Sequence, residues 1–199
     1  MFKKIMILII ALVCLLSVSA ISAEDTNNTD DSVGADAGTF AALQKKIKDA
    51  KEGSTIYLEN DYTQEGNKPL SITKSLTIDG KGHTIDGQGK NSIFYVERHS
   101  KTTLKNINFI NGNEIASGGG AIRTISDVTV INCTFTDNTA KSGGGAIATA
   151  QPGDFVITVI NSTFTDNTAN LYGGAIGGSS DTIINVINST FTDPTAGTI

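Results

Sequence analysis

The chain has 199 residues, of which 39% are hydrophobic and 18% are charged, and its formal net charge is −5 at neutral pH. This acidic balance, without any basic cluster, argues against binding to nucleic acid or to anionic lipid surfaces. After the first residues, no segment is long and apolar enough to cross a membrane.

The N-terminus has the pattern of a secretory signal peptide. Two lysines precede an apolar run from Ile5 to Leu16, and small residues close the run. Because the run is short for a bilayer span, we predict that residues 1–23 form a cleaved signal and not an anchor. Cleavage after Ala20 and cleavage after Ala23 both fit. The chain would then touch the membrane only before cleavage, and the mature chain would have a net charge of −7.

The two cysteines indicate a protein without internal disulfides. Cys14 lies in the signal and lacks the small preceding residue of a lipid-modified cysteine, so Cys133 would be the only thiol of the mature chain. Stability must then come from packing and backbone hydrogen bonds. Ser162 and Ser189 fill the same position in later repeats. We therefore expect Cys133 to be a small buried residue.

Two segments precede the repeats. Residues 24–38 are acidic and nearly free of large apolar side chains, which is typical of a disordered tether. Residues 39–53 predict one amphipathic helix, with Thr39 as its N-cap and Gly53 just past its end. Four apolar residues follow helical spacing in it: Phe40, Leu43, Ile47 and Ala50.

Short strands and a repeat occupy residues 54–199. Before Thr102, strands are predicted in "STIYLE", "LSIT", "SLTIDG", "HTIDG" and "SIFYVE". After it, a unit recurs with its phenylalanine 26, 29 and 27 residues apart, and "GGAI" occurs three times with a similar period. Leucine is scarce and helical periodicity is missing inside the unit. The repeat therefore predicts a parallel β-helix with about three strands per turn.

Successive coils of a β-helix lie at the ~4.8 Å strand spacing, so equivalent residues should form columns. We expect a buried column of phenylalanines, namely Phe109, Phe135, Phe164 and Phe191. Alternation turns Val128 and Val130 inward together with their equivalents, while Ile131, Ile160 and Ile187 form a partly exposed stripe. The isoleucines of the "GGAI" motifs should point inward, with the glycines forming a tight corner. The helix would cover the unpaired edges of the first coil.

A second column consists of asparagines, namely Asn106, Asn132, Asn161 and Asn188. Asparagine tolerates the left-handed conformation of a sharp bend, and stacked amides can hydrogen-bond along a column. We therefore interpret these residues as a structural ladder. The last three also match the N-glycosylation sequon, as does Asn27, and this alternative stays open.

Carboxylates and hydroxyls form two further candidate columns. Asp137, Asp166 and Asp193 recur at one turn position, where they could bridge calcium weakly or serve only as turn formers. Outward threonines flank each buried phenylalanine and predict a regular hydroxyl array on exposed strand positions: Thr134, Thr136, Thr163, Thr165, Thr190 and Thr192. Asn108 and Ile110 interrupt the array in the first unit. His83 and His99 have no metal-ligand partner at suitable spacing, so we expect both on the surface.

The paired "FTDN" and "GGAI" phrases resemble the repeats of polymorphic outer-membrane proteins. The order of "TFAALQKKIKDAKEG", "SLTIDGKGHTIDG" and "FTDNTAKSGGGAI" resembles adhesin-like surface proteins of methanogenic archaea over residues 39–199. This resemblance implies a right-handed single-stranded parallel β-helix, display at the cell surface, and attachment to cells, surface glycans or cell wall. Such proteins are usually longer and carry an attachment region, whereas this chain stops within a repeat. It is either a fragment or a chain whose open last coil pairs with something, including another copy.

The leading interpretation is thus a secreted, noncatalytic β-helix for adhesion. The first alternative is a polysaccharide lyase or glycosidase on a pectate-lyase-like β-helix, which would need an asymmetric group of acids and bases. The second is a threonine array that binds ice or glycans.

Overall fold

The structure, a computed structural model, describes residues 38–192. Its elements in chain order are α1 (Phe40–Asp49), β1 (Thr55–Tyr57), β2 (Tyr62–Thr63), β3 (Leu70–Ile72), β4 (Leu76–Asp79), β5 (Thr84–Asp86), β6 (Phe94–Val96), β7 (Thr102–Lys105), β8 (Asn108–Ile110), β9 (Asn113–Glu114), β10 (Ile122–Thr124), β11 (Val128–Ile131), β12 (Thr134–Thr136), β13 (Thr139–Ala140), β14 (Ile147–Thr149), β15 (Val156–Ile160), β16 (Thr163–Thr165), β17 (Thr168–Ala169), β18 (Ile176–Gly177), β19 (Ile183–Ile187) and β20 (Thr190–Thr192). The predicted signal, and the predicted tether apart from its last residue, Gly38, lie outside the described residues.

Helix α1 covers the first coil of strands. The Thr39 hydroxyl accepts a hydrogen bond from the Ala42 amide at 3.1 Å, which caps the N-terminus as predicted. The buried face, with Phe40, Leu43 and Ile47, packs on β2 and β3, which are end strands of two sheets. The helix ends at Asp49, earlier than the predicted limit at residue 53, because the backbone of Ala50 is already extended.

The strands form four parallel sheets. Sheet I has the order β1-β4-β7-β11-β15-β19, sheet II β2-β5-β8-β12-β16-β20, sheet III β17-β13-β9, and sheet IV β18-β14-β10-β6-β3. The chain passes through them in the order I, II, III, IV, and the first two coils lack a strand in sheet III. The predicted right-handed parallel β-helix is thereby confirmed. Helix α1 has ten residues, which is too few to span a bilayer. Within residues 38–192, no helix is long and apolar enough to cross a membrane.

A stack of phenylalanine rings runs through the core. Equivalent rings lie 4.8, 4.6 and 4.8 Å apart, with interplanar angles of 12°, 3° and 9°, in the order Phe109, Phe135, Phe164, Phe191. The first three rings are buried, and Phe191 is half-buried. Strand pairing in sheet II places each ring over its equivalent in the next coil. Each buried ring contributes ~1.5–3 kcal/mol by its removal from water.

Alternation along sheet I matches the predicted sides. Val128 and Val130 are buried with their equivalents Ile157 and Val159, whereas Ile184 and Val186 occupy the same inward columns but are only half-buried. In the outward stripe, Ile131 and Ile160 are half-buried and Ile187 is 46% exposed. All three isoleucines of the "GGAI" motifs are buried.

The "GGAI" glycines form the predicted tight corner. Gly144 has φ +61°, a conformation that favours glycine. A Cβ at Gly145 would lie 2.4 Å from the Gly174 carbonyl oxygen, because the two coils approach closely there. The Gly145 amide donates to that same oxygen at 2.8 Å.

A column of small polar side chains lies inside, next to the phenylalanines. Cys133 is buried, as predicted, and its amide donates to the Ser162 hydroxyl at 3.1 Å. The Ser162 amide donates to the Ser189 hydroxyl in the same way at 3.1 Å. These serines therefore pair backbone amides that would otherwise lie unpaired inside the molecule.

A buried asparagine ladder follows the phenylalanines, and sequence reasoning missed it. Asn138 and Asn167 each follow directly on an aspartate of the exposed turn, yet their exposed fractions are 0% and 1%. The Asn167 side-chain oxygen accepts from the Asn138 backbone amide at 3.2 Å, and the Asn167 side-chain nitrogen donates to the Phe135 backbone carbonyl at 2.9 Å. Asn138 in turn accepts from the Gly112 amide at 2.9 Å. The ladder joins three successive coils at the end of sheet II.

We predict that Phe135→Ala lowers the free energy of unfolding by about 3–5 kcal/mol, because it opens a cavity between two stacked rings. The control is Phe155→Ala, at a half-buried ring outside the stack, which should cost clearly less. Urea unfolding followed by circular dichroism measures both. Equal losses for the two variants would contradict a stack that carries the core.

We predict that Asn167→Ala costs at least about 2 kcal/mol, because buried groups of neighbouring coils lose their partners at ~1–3 kcal/mol each. Asn185→Ala, at an exposed strand position, should change stability by less than about 0.5 kcal/mol. Thermal and urea unfolding of both variants test this contrast. A tolerated change at Asn167 would show that the ladder does not hold the coils together.

Candidate functional site

The outer face of sheet II carries the predicted threonine array, which we call the threonine face. Its two columns are in register: Thr134 with Thr163 and Thr190, and Thr136 with Thr165 and Thr192. Four of the six side chains are exposed, and Thr136 and Thr165 are half-buried. Two parallel rows of hydroxyls, one strand spacing apart along each row, thus face outward on three coils.

The threonine face continues further than the sequence suggested. Asn108, expected to interrupt it, accepts a hydrogen bond from the Thr134 hydroxyl at 2.9 Å through its side-chain oxygen. Its side-chain nitrogen donates to the Gly82 backbone carbonyl at 2.8 Å. Asn108 therefore extends the polar column by one coil, while Ile110 still interrupts the second column.

Sheet I carries a second threonine column that sequence reasoning missed. Five threonines lie in register on its outer face: Thr55, Thr77, Thr103, Thr129 and Thr158. Thr55 is exposed, and the other four are half-buried. The signal was present in the sequence, since each of Thr103, Thr129 and Thr158 stands three residues before an asparagine of the predicted ladder.

The aspartate column occupies the bend that follows sheet II. Asp137 and Asp166 are exposed and have φ of +55° and +53°, and Asn111 has the same conformation one coil earlier. The Asp137 amide donates to the Thr165 carbonyl at 3.2 Å, so the bend itself is tied to the next coil. Asp193 lies outside the described residues. Residues 38–192 contain no cluster of three or more histidine, cysteine or carboxylate side chains that could hold a metal ion.

A polar groove runs beside this bend, over the outer face of sheet III. One cavity of about 440 Å³ is lined by Gln88, Gly89, Asn111, Gly112, Asn113, Asp137 and Thr139. A second cavity, of about 320 Å³, shares Asn113 and Thr139 and continues to Glu114, Ile115, Ala140, Lys141 and Asn170. We call the two together the polar groove. Because Asp137 directly follows Thr136, the groove adjoins the threonine face.

One exposed apolar side chain lines the second cavity, and two more follow one of its lining residues in the sequence. Ile115 is 68% exposed, and Leu171 and Tyr172, which follow Asn170 directly, are 70% and 53% exposed. The loop of Ile115 is held by the buried carboxylate of Glu114. One Glu114 oxygen accepts from the Ala116 amide at 2.8 Å, and the other accepts from the Ser92 hydroxyl at 3.0 Å. The groove therefore combines amide, carboxylate and hydroxyl groups with an apolar rim.

The asparagines of the predicted ladder lie at the bend between sheets I and II. All four have φ between +48° and +55°, which is the left-handed conformation expected of them. Among residues 38–192, the side-chain amides of this column hydrogen-bond only at its first end: the Asn106 side chain donates to Asp79 at 2.9 Å, and the Asn132 side chain donates to Asn106 at 3.4 Å. Burial acts to raise the pKa of Asp79. Hydrogen bonds from the Asn106 side chain and the Lys81 backbone amide outweigh burial, together with the charges of Lys81 and Lys105, and the pKa of Asp79 is therefore lowered.

The two histidines and Cys133 lie outside the threonine face and the polar groove. His83, expected on the surface, is half-buried with its Nδ1 3.1 Å from an Asp61 carboxylate oxygen, while His99 is exposed. Burial raises the pKa of the Cys133 thiol to about 12, so the thiolate needed for nucleophilic chemistry is scarce at neutral pH.

Two family models match the chain. Residues 34–169 match the family described as "Putative pectate lyase-like adhesive domain", and residues 161–179 match the Chlamydia polymorphic membrane protein repeat. Neither the curated proteins nor the solved structures include a significant match. The second match falls on the repeat that contains Phe164 and the third "GGAI", and it supports a surface adhesin-like repeat protein. The first match covers more than half of the chain, and the chain therefore belongs to the pectate lyase-like adhesive domain family.

Proposed function

We propose that the chain is exported through its N-terminal signal and acts at the cell surface as a noncatalytic adhesin, like the adhesin-like proteins of methanogenic archaea that it resembles. Its ligands are surface glycans or cell-wall polysaccharides. The observation that carries this proposal is the in-register threonine face with the polar groove beside it. The adhesive description of the matching family supports the same function.

The chemistry of the two surfaces suits a sugar chain. Threonine hydroxyls both donate and accept hydrogen bonds, and the amides of Asn111 and Asn113 do the same, so they can pair with sugar hydroxyls in either direction. Tyr172 and Leu171 offer apolar area for the faces of sugar rings. Equivalent groups recur on each coil, and a polymeric ligand can therefore engage several weak contacts at once.

The regularity of the surface favours binding over catalysis. Hydrolysis of a glycosidic bond uses two carboxyl groups with different protonation states and different roles. Asp137 and Asp166 occupy equivalent turn positions with equivalent backbone conformations, so the fold gives them the same surroundings and not two different ones. We propose calcium as an optional bridge between these two carboxylates, with the polysaccharide contacts made by the threonine face and the groove.

We predict that purified protein binds polysaccharides on a panel of glycans and isolated cell walls, and that Thr163→Tyr weakens this binding at least tenfold. The tyrosine would stand in the centre of the threonine face and block access along both columns. Thr158→Tyr is the matched control, because it places the same side chain on the outer face of sheet I in the same coil. That variant should bind like the unchanged protein.

Two arms of the experiment separate the alternatives. Binding with and without calcium, compared between the unchanged protein and Asp166→Asn, tests the calcium bridge. Incubation with the same polysaccharides, followed by measurement of new chain ends, tests catalysis. Chain ends released by the unchanged protein and not by Asp166→Asn would contradict the noncatalytic proposal. Equal binding by Thr163→Tyr and Thr158→Tyr would show that the threonine face does not contribute to polysaccharide binding.

A further inference from the structure

Three exposed asparagines at the bend between sheets I and II share a chemical signature. Asn132, Asn161 and Asn188 are exposed, and each is followed two residues later by a threonine. This is the Asn-x-Thr acceptor sequence for N-linked glycosylation, in which x is not proline. We call them the sequon column. The sequence predicts a structural ladder at these residues, in which stacked side-chain amides hydrogen-bond along the column.

The side-chain amides of the sequon column make almost no hydrogen bonds. Within residues 38–192, the side chains of Asn161 and Asn188 make no hydrogen bond, and Asn132 makes only the long one to Asn106. Their role in the fold rests on the backbone, which needs the left-handed conformation at this bend. The side-chain nitrogens therefore remain available on the surface for other chemistry.

Other asparagines of the same repeats provide a comparison. Asn106 stands in the same column but donates to Asp79 at 2.9 Å, and the residue two positions later is Asn108 and not a threonine. Asn138 and Asn167 are buried and fully engaged in their ladder, and each is followed by Thr-Ala. Asparagines whose amides are needed inside the fold thus lack the acceptor sequence, whereas the exposed ones of the bend carry it.

We propose that Asn132, Asn161 and Asn188 are attachment sites for N-linked glycans. The donor is a lipid-linked sugar phosphate, used by the enzyme of the exporting cell. The asparagine side-chain nitrogen forms a bond to the anomeric carbon of the sugar, and the bond from that carbon to the phosphate oxygen breaks. The nitrogen loses one proton, and the lipid phosphate leaves with the electron pair. This inference rests on the proposed function only in that the chain must be exported, and it does not depend on adhesion.

The position of the column gives the glycans a physical role. Each acceptor follows directly on an isoleucine of the outward stripe, namely Ile131, Ile160 and Ile187. Ile187 is 46% exposed, and Ile183, on the same strand, is 56% exposed. A bulky hydrated sugar beginning at the neighbouring residue covers this apolar stripe of sheet I and limits its association with other surfaces. The first column of the threonine face, on sheet II, begins two residues after the acceptors, with Thr134, Thr163 and Thr190.

The test produces the full chain, behind a secretion leader that the host cleaves, in a host that attaches N-linked glycans, together with an exported reporter that carries one known acceptor. Peptide mass spectrometry then locates the glycans. We expect modified peptides at Asn132, Asn161 and Asn188, with Asn138 and Asn167 unmodified. Enzymatic release of the glycans in ¹⁸O-labelled water should convert the modified asparagines to labelled aspartates.

Matched variants separate the acceptor sequence from the fold. Thr163→Val removes the hydroxyl of the Asn161 sequon and keeps a β-branched strand residue, so the glycan should be lost at Asn161 and retained at Asn188. Thr165→Val changes a threonine of the same strand outside the sequon and should leave every glycan in place. Unmodified sequon peptides beside a glycosylated reporter would overturn the proposal, as would a glycan retained at Asn161 in Thr163→Val. The adhesion experiments use protein without attached glycans. A failure to bind polysaccharides would therefore not count against the glycosylation sites, and missing glycans would not count against adhesion.

Discussion

In-register parallel pairing of successive coils is the constraint on which the rest of the structure depends. Sheets I and II place each residue directly over its equivalent one strand spacing away. Every column must therefore consist of side chains that tolerate copies of themselves as neighbours. Phenylalanine rings meet this requirement by stacking at 4.6–4.8 Å, and buried asparagines meet it by hydrogen-bonding to the next coil. A single poor side chain in a column disturbs two interfaces, because it lies between two coils.

The same constraint explains why asparagine occurs in two columns with different roles. At the end of sheet II, Asn138 and Asn167 turn inward, where their amides replace backbone partners that a bend cannot supply. Between sheets I and II, Asn161 is needed for its left-handed backbone, and its amide faces solvent. One residue type thus serves the interior through its side chain and the surface through its conformation. The inward column stabilises the solenoid, and the outward column is free to carry chemistry.

Repetition also shapes what the surface can do. A β-helix offers the same group again on every coil, so its outer faces suit polymeric ligands that repeat themselves. The threonine face and the polar groove lie side by side along this direction, and the exposed Ile115 adds apolar area to the groove. Membership of an adhesive domain family agrees with such a surface. On the proposed function, weak contacts multiplied over several coils would give attachment.

The sequence by itself determined the architecture, because the repeat period and the alternation of apolar residues follow from strand geometry alone. The stacked phenylalanines, the buried position of Cys133 and the left-handed bends at Asn106 and its equivalents were all readable in this way. Only the tertiary structure decided which side of a bend faces inward, since alternation ends where a strand ends. For that reason the buried role of Asn167, the two-residue strands of sheet III and the groove beside them appeared only when the coils were stacked. Short bends carry too few residues to show a period, and their direction is set by the coil above and below.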